Sequence, residues 1–282
     1  MQTIADKQEL RERLAEWRRE REHIAIVPTM GNLHAGHISL VEAAREQAER
    51  VVVTVFVNPT QFGKGEDFDG YPRTLEEDTR RLRKTSADVL FVPSVATMYP
   101  FGIDNATRVI VPGLTEHLCG SFRPGHFDGV TSVVARLFAL VQPDVAVFGQ
   151  KDYQQQLVIR RMVDDLNLPI TIVTVPTVRE ADGLAMSSRN AYLSATEREA
   201  APELYECLCA VEARLRDGDR GFRSLEKAAA DDLARAGFEP EYVAIRSAED
   251  LSDPEPHCRR LVILAAGRLG RARLIDNVLV EV

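Results

Sequence analysis

Two histidines three positions apart, His34 and His37, lie in the run PTMGNLHAGH (Pro28–His37), directly after a β-branched stretch. That spacing puts both imidazoles on one side of a helix start, where backbone N–H groups and the helix dipole attract phosphate. Gly31 and Gly36 let backbone approach a bound group closely, and imidazoles placed there can donate hydrogen bonds to charge that grows as a phosphate bond breaks. Read alone, the pair also fits a turn with two surface histidines. A second run, GQKD (Gly149–Asp152), ends another apolar stretch and puts Lys151 at its carboxyl edge. An ammonium there can follow negative charge onto a leaving pyrophosphate. The run MSSR (Met186–Arg189) offers two hydroxyls and a guanidinium, which suit phosphate oxygens. Gln61 and Gln155 are neutral amides able to read a hydroxyl or a carboxylate without adding charge. Taken singly, each also passes for an ordinary polar loop residue.

The elements that must position these groups are legible from periodicity. Strands are expected at Ile24–Val27, Val51–Val57, Val89–Val92, Val145–Phe148 and Ile170–Val175, with helices at His37–Arg50, Leu75–Ser86, Gly129–Val141 and Tyr153–Leu166. Near-continuous apolar strands alternating with helices predict an α/β fold, a Rossmann-like doubly wound parallel sheet covered on both faces. Such sheets bind ligands at the carboxyl ends of their strands, where strand order reverses. Leu10, Leu14 and Trp17 mark an amphipathic N-terminal helix. Beyond Val175 the pattern changes. A polar connector, Pro176–Ser194, precedes a helix opened by the capping-box pair Ser194 and Glu197 and running towards Asp217. A second helix is expected at Ser224–Ala236, stopping at Gly237, and strands at Tyr242–Arg246, Arg260–Ala266 and Arg273–Val282. The expected division is a catalytic domain over 1–176 and, over 177–282, the connector with a smaller C-terminal α+β domain.

Composition narrows the function. The chain has 282 residues, 45% of them hydrophobic, and a formal net charge of -8. That core is ample, and the acidic balance weighs against a nucleic-acid partner. Four scattered cysteines lack metal-ligand spacing and read as reduced thiols of a cytoplasmic protein. Met1–His23 lacks the apolar core of a signal peptide, and no apolar run is long enough to span a bilayer.

The Pro28–His37 run resembles the HIGH signature of nucleotidyl-transferring α/β enzymes, and in its ten-residue form it is similar to pantothenate synthetases. Five further blocks follow in that family's order: FVNPTQF (Phe56–Phe62), YPRTLEED (Tyr71–Asp78), RPGHFDGV (Arg123–Val130), FGQKDYQQ (Phe148–Gln155) and MSSRNAYL (Met186–Leu193), with LIDN at Leu274–Asn277. The resemblance implies ATP-dependent condensation of pantoate with β-alanine through a pantoyl adenylate. It gives His34, His37 and Lys151 catalytic roles. Met30, Gly31, Asn32, Leu33, His34, Ala35, Gly36, His37, Gly149, Gln150, Lys151, Asp152, Val178, Met186, Ser187, Ser188 and Arg189 go to ATP. Gln61 and Gln155 go to pantoate, and Gln61 also to β-alanine. Mg²⁺ is expected mainly on the ATP phosphates, with Asp78 a candidate for its outer shell, and a homodimer is implied. Tyr71, Glu77, Arg123 and His126 lie in matching blocks without a firm role, and Gln156 stands where the family commonly has an apolar residue. Two other readings remain: a relative transferring the nucleotide to a phosphorylated acceptor, and a non-catalytic nucleotide-binding or tRNA-binding module.

Overall fold

In the computed structural model, which describes residues 1–63, 65–255 and 257–282, six segments form one all-parallel sheet. They are β1 (Gln2–Ile4), β2 (Ile24–Thr29), β3 (Arg50–Val55), β4 (Val89–Phe91), β5 (Val145–Gly149) and β6 (Thr171–Val175), in the order β1-β4-β3-β2-β5-β6. The intervening helices are α1 (Lys7–Arg19), α2 (Ala35–Gln47), α3 (Leu75–Leu82), α4 (Val95–Met98), α5 (Cys119–Phe122), α6 (His126–Val141) and α7 (Tyr153–Asp165). Side chains alternate across a strand, and β2 uses both faces. Ile24 and Ile26 join the apolar cluster under α1 and α6, while Ala25 and Val27 join the one under α2. Two buried faces explain why the strand reads as an unbroken apolar run.

The site originates in an incomplete pairing. β2 pairs with β3 along its whole length, Ile24 to Thr29, and β5 with β6 from Val145 to Gly149. Between β2 and β5 the register holds only at Ala25–Val145 and Ile26–Ala146. Asp144 fastens the amino ends, its carboxylate accepting the Ile24 N–H at 2.8 Å. The carboxyl ends part at the point where strand order reverses, leaving the crevice such sheets use for ligands.

The C-terminal unit contains α8 (Ala195–Ala200), α9 (Glu203–Arg216), α10 (Phe222–Arg235) and an antiparallel sheet of β7 (Glu239–Ser247), β8 (Arg260–Leu269) and β9 (Ala272–Glu281). The predicted capping box is present, with Ser194 and Glu197 bonded reciprocally. The single helix expected after it is interrupted, because Pro202 has no N–H to continue the helical hydrogen-bond ladder. Val243, Ile245, Leu261 and Ile263 face α9 and α10, while the alternate residues Ala244, Val262 and Leu264 pack on Tyr153 and Leu157 of α7. The Tyr153 hydroxyl donates to the Ala248 carbonyl at 2.6 Å across that seam. β1 was not anticipated, since three extended residues carry no period of their own.

Helix α6 seats the loop that bears Gln61. A Cβ on Gly129 would lie 2.3 Å from the Thr60 carbonyl oxygen and 2.7 Å from the Gln61 Cα. Gly129→Ala is therefore expected to cost about 1–3 kcal/mol by overpacking and to displace that loop. Thermal unfolding measures the cost, and an unchanged midpoint would show that the loop does not rest on α6.

Candidate active site

The crevice between β2 and β5 encloses, with its open mouth, about 1280 Å³. Met30, His34, Gly36 and His37 form one wall, Gly149, Lys151 and Asp152 the other; Gln61, Tyr71 and Gln155 contribute to the floor, and Val178 with Met186–Arg189 crosses above.

The histidine loop is shaped from behind by α3. Asp78, 1% exposed, accepts the N–H groups of Asn32 and Leu33 at 2.9 and 2.8 Å, and Arg81 donates to the Leu33 carbonyl. Gly31 holds a φ of +85°, and a Cβ there would meet Asp78 Oδ2 at 3.0 Å. Both Asp78 oxygens thus accept backbone amides of the histidine loop and fix its course. Glu77 points elsewhere, to Arg80 and Arg81.

His34 and His37 have ring centroids 4.1 Å apart. Burial, with Lys151 nearby, lowers the His34 pKa to about 4, and burial next to His34 lowers that of His37 to about 3. Both imidazoles are neutral at physiological pH. His37 Nδ1 accepts the His34 N–H at 3.2 Å, so the His37 proton sits on Nε2 as a donor. His34 Nδ1 is buried without a partner among the described residues, as is the Thr177 hydroxyl overhead. Gly36 is needed for the ring as much as for a ligand, since a Cβ there would lie 3.0 Å from the His34 imidazole.

Of the three glutamines at the start of α7, only Gln155 faces the crevice. Gln154 is consumed by the Leu114 and His117 carbonyls and the Cys119 N–H. Gln156, the departure from the family pattern, accepts the Thr174 hydroxyl at 3.2 Å, so a polar residue is accommodated behind Gln155. Asp152 lines the crevice. Burial would raise its pKa, but Lys151 and Arg189 prevail and lower it, keeping the carboxylate ionised.

Gln61 is held at both ends. Its side-chain oxygen accepts from Asn58 Nδ2 at 3.1 Å, which turns its NH₂ towards Met30. Its backbone carbonyl accepts from His126 Nδ1 at 2.8 Å, and His126 Nε2 accepts from Arg123 at 2.9 Å. Arg123 in turn grips Glu66 at 2.6 and 2.7 Å. Burial lowers the His126 pKa to about 3, aided by Arg123, so the ring is neutral. Burial would raise the Glu66 pKa, but Arg123 outweighs it and holds it at about 2.

Overhead, Val178 and Met186 close a short hairpin, the Met186 N–H donating to the Val178 carbonyl at 3.0 Å. Ser188 donates to the Asn32 carbonyl at 3.2 Å and Arg189 pairs with Asp67 at 3.2 Å, so this arm is docked on the loops below. Five residues expected at the nucleotide do not line the crevice: Gly31, Asn32, Leu33, Ala35 and Gln150. Leu33 is 3% exposed within the apolar cluster under β2 and β3 because the Asp78 clamp turns it inward. Ala35 faces out, and Gln150 is bonded to Asn277.

A family model for pantoate-beta-alanine ligase matches residues 2–279. The chain belongs to that family. It is 53% identical over 281 residues to pantothenate synthetase of Methylococcus capsulatus, covering 100% of this chain and 98% of that one. The crystal structure of the Thermus thermophilus pantothenate synthetase superposes with a TM-score of 0.92 at 49% identity, covering 99% of each chain. The Francisella tularensis pantoate-beta-alanine ligase, complexed with beta-gamma ATP and beta-alanine, gives 0.81 at 33% identity, covering 99% of this chain and 97% of that one.

Several residues that shape this ligase's crevice were given no role by sequence reasoning, although Asn58 and Asn277 lie in blocks that match the family. Asn58 orients Gln61, Glu66 anchors Arg123, and Asn277 reaches from the distant β9 to the GQKD turn. Only Asn58 carried a local signal, as an Asn before Pro at the cap of a short turn.

The lowered histidine pKa values fix the sign of a pH effect. Unfolded histidine binds a proton near pH 6.5, whereas His34 and His37 resist it until about 4 and about 3. Their contribution to stability is complete above 6.5 and falls as pH drops through the window below it. Pantoate-dependent pyrophosphate release is expected to show no histidine inflection between pH 8 and pH 6. Activity that rises as pH falls through 6.5, and loses that rise in His37→Gln, would show that the imidazolium is the working form.

Proposed function

We propose that the chain joins pantoate to β-alanine at the crevice between β2 and β5 in two steps, with ATP as activating substrate and no covalent bond to the protein. The ligation is the reaction of the family to which the chain belongs, and that membership decides against a phosphorylated acceptor or a non-catalytic module. The observation that carries the residue roles is that His34, His37, Lys151 and Arg189 share one crevice with two neutral amides, Gln61 and Gln155.

In the first step the pantoate carboxylate attacks the α-phosphorus of ATP and pyrophosphate departs. The nucleotide lies along the start of α2 and the GQKD turn, beneath Val178 and Met186–Arg189. His34 and His37 act as neutral hydrogen-bond donors, and Lys151 supplies the positive charge that follows pyrophosphate. Their preorganisation in a desolvated site makes each donor effective. In the second step the deprotonated amine of β-alanine attacks the acyl carbon and AMP leaves. Gln155 reads pantoate, and Gln61, its NH₂ oriented by Asn58, serves both substrates.

Mg²⁺ arrives with ATP and neutralises phosphate charge. Asp152 is the carboxylate that lines the crevice, and Asp78 is occupied by backbone amides. Among the described residues no group of three or more His, Cys, Asp or Glu has a metal-holding arrangement. Residues 1–176 hold the substrates. The connector and C-terminal unit, 177–282, shield the adenylate from water, Arg189 exchanging Asp67 for phosphate oxygens. The chain works as a cytoplasmic homodimer. Phe101 and Ile110, 82% and 56% exposed, are apolar groups that an interface would cover, and light scattering tests the dimer. No described helix is long and apolar enough to cross a membrane.

AMP formation is expected to require both pantoate and β-alanine, and AMP released without either acceptor would overturn the reading. Gln155→Ala leaves a substrate polar group unsatisfied, worth about 1–3 kcal/mol. It is expected to raise the pantoate KM about 5- to 150-fold while sparing that for ATP. A pantoate titration identical to that of the unaltered protein would remove Gln155 from the pocket.

A further inference from the structure

Successive residues of a strand point to opposite faces, and on β9 two neighbours are both polar and buried, Asp276 at 3% and Asn277 at 2% exposure. Asn277 spends its whole amide on one target. Its Nδ2 donates to the carbonyls of Gln150 and Lys151 at 3.0 Å each, and its Oδ1 accepts from Gln150 Nε2 at 3.2 Å. Those carbonyls belong to the single turn Gln150–Asp152, whose start has no side-chain cap of its own. On the other face, Asp276 accepts both Arg179 nitrogens at 2.5 and 3.1 Å. Arg179 lies flat on Tyr205, 3.5 Å from the ring centre, and follows Val178 in the hairpin above the crevice. One strand of the C-terminal sheet therefore fastens both segments that border the crevice on that side.

Lys151 lines the crevice, whereas Asn277 lines only the adjoining cavity that shares Lys151, Asp152, Gln155, Ser187 and Arg189 with it. The Lys151 ammonium is near enough to Asp152 to lower that carboxyl's pKa, yet no hydrogen bond or ion pair among the described residues holds it. A long flexible side chain without a partner is aimed by its backbone alone. Whatever fixes the Lys151 carbonyl fixes where its charge can reach.

We propose that Asn277 is a positioning residue for the first step, holding the Lys151 turn from behind and making the C-terminal sheet a working part of the adenylation site. The inference rests on the reading of Lys151 given above. A distant misplacement of a catalytic group can cost about 10²-fold.

A double-mutant cycle on the full chain tests it, read as kcat for pantoate-dependent pyrophosphate release at a temperature where circular dichroism shows each variant folded. Asn277→Ala is expected to lower kcat about 10- to 100-fold with the pantoate KM nearly unchanged. Asn277→Ser, which keeps one donor, should fall between it and the unaltered protein, and it takes the place of the alanine variant if that one does not fold. In a Lys151→Ala background either change should cost nothing more, because there is no ammonium left to aim. Losses that multiply across the two sites, or unaltered kcat in both Asn277 variants beside a slow Lys151→Ala, would overturn the inference alone. Unaltered turnover in Lys151→Ala would instead overturn the reading of Lys151 and remove the basis for the inference.

Discussion

Strands β2 and β5 share two register pairs and then separate, and the rest of the site is built around that separation. A parallel strand left unpaired at its carboxyl end presents backbone groups that need partners. Here the chain turns at once into structure that supplies them. β2 runs into the loop clamped by Asp78 and then into α2, and β5 runs into the turn clamped by Asn277 and then into α7. The crevice is thus a gap with rigid margins. Its walls carry side chains whose backbones are fixed from outside, by residues that do not line it.

Electrostatics in and beside the crevice follow from the same burial. Desolvation makes imidazolium costly, so His34, His37 and His126 are neutral. Glu66 beside Arg123 and Asp152 beside Lys151 and Arg189 stay ionised because a neighbour of opposite sign offsets their burial. The division of labour is therefore between neutral donors, which shape the site, and a few cations able to answer phosphate charge. A neutral histidine adds no charge to compete for the nucleotide's counterion, yet still offers a directed N–H.

Support for the substrate side is of another kind. Gln61 sits on a short turn pressed against Gly129 of α6, with its side chain set by Asn58 and its carbonyl by His126. The loop supplying Glu66 to that network also supplies Asp67 to Arg189. Pocket floor and overhead arm are thus joined through two adjacent acidic residues of one loop.

Much of this was legible in the linear chain. Apolar runs such as Ile24–Val27 and Val145–Phe148 announce buried strands because both their faces meet helices, and the two-face alternation needs no tertiary knowledge. His34, His37, Lys151 and Gln155 could be singled out because each follows a strand closely, and the sheet's geometry carries such positions to one edge. The sequence could not reveal which polar residues are spent on the protein. Gln154, Gln155 and Gln156 are chemically identical neighbours, yet the 100° step between helix positions sends two to protein partners and leaves one at the crevice. Asp78 has the chemistry of a metal ligand, and only the approach of the loop from β2 decides that two backbone amides claim it. Asn277 lies more than a hundred residues from Lys151 and meets it because one face of the C-terminal sheet packs on α7. Residue type and period determined the strands, the helices and the candidate chemistry. Which groups remained free to use it was decided by long-range packing, since a buried donor or acceptor must find a partner wherever the fold brings one.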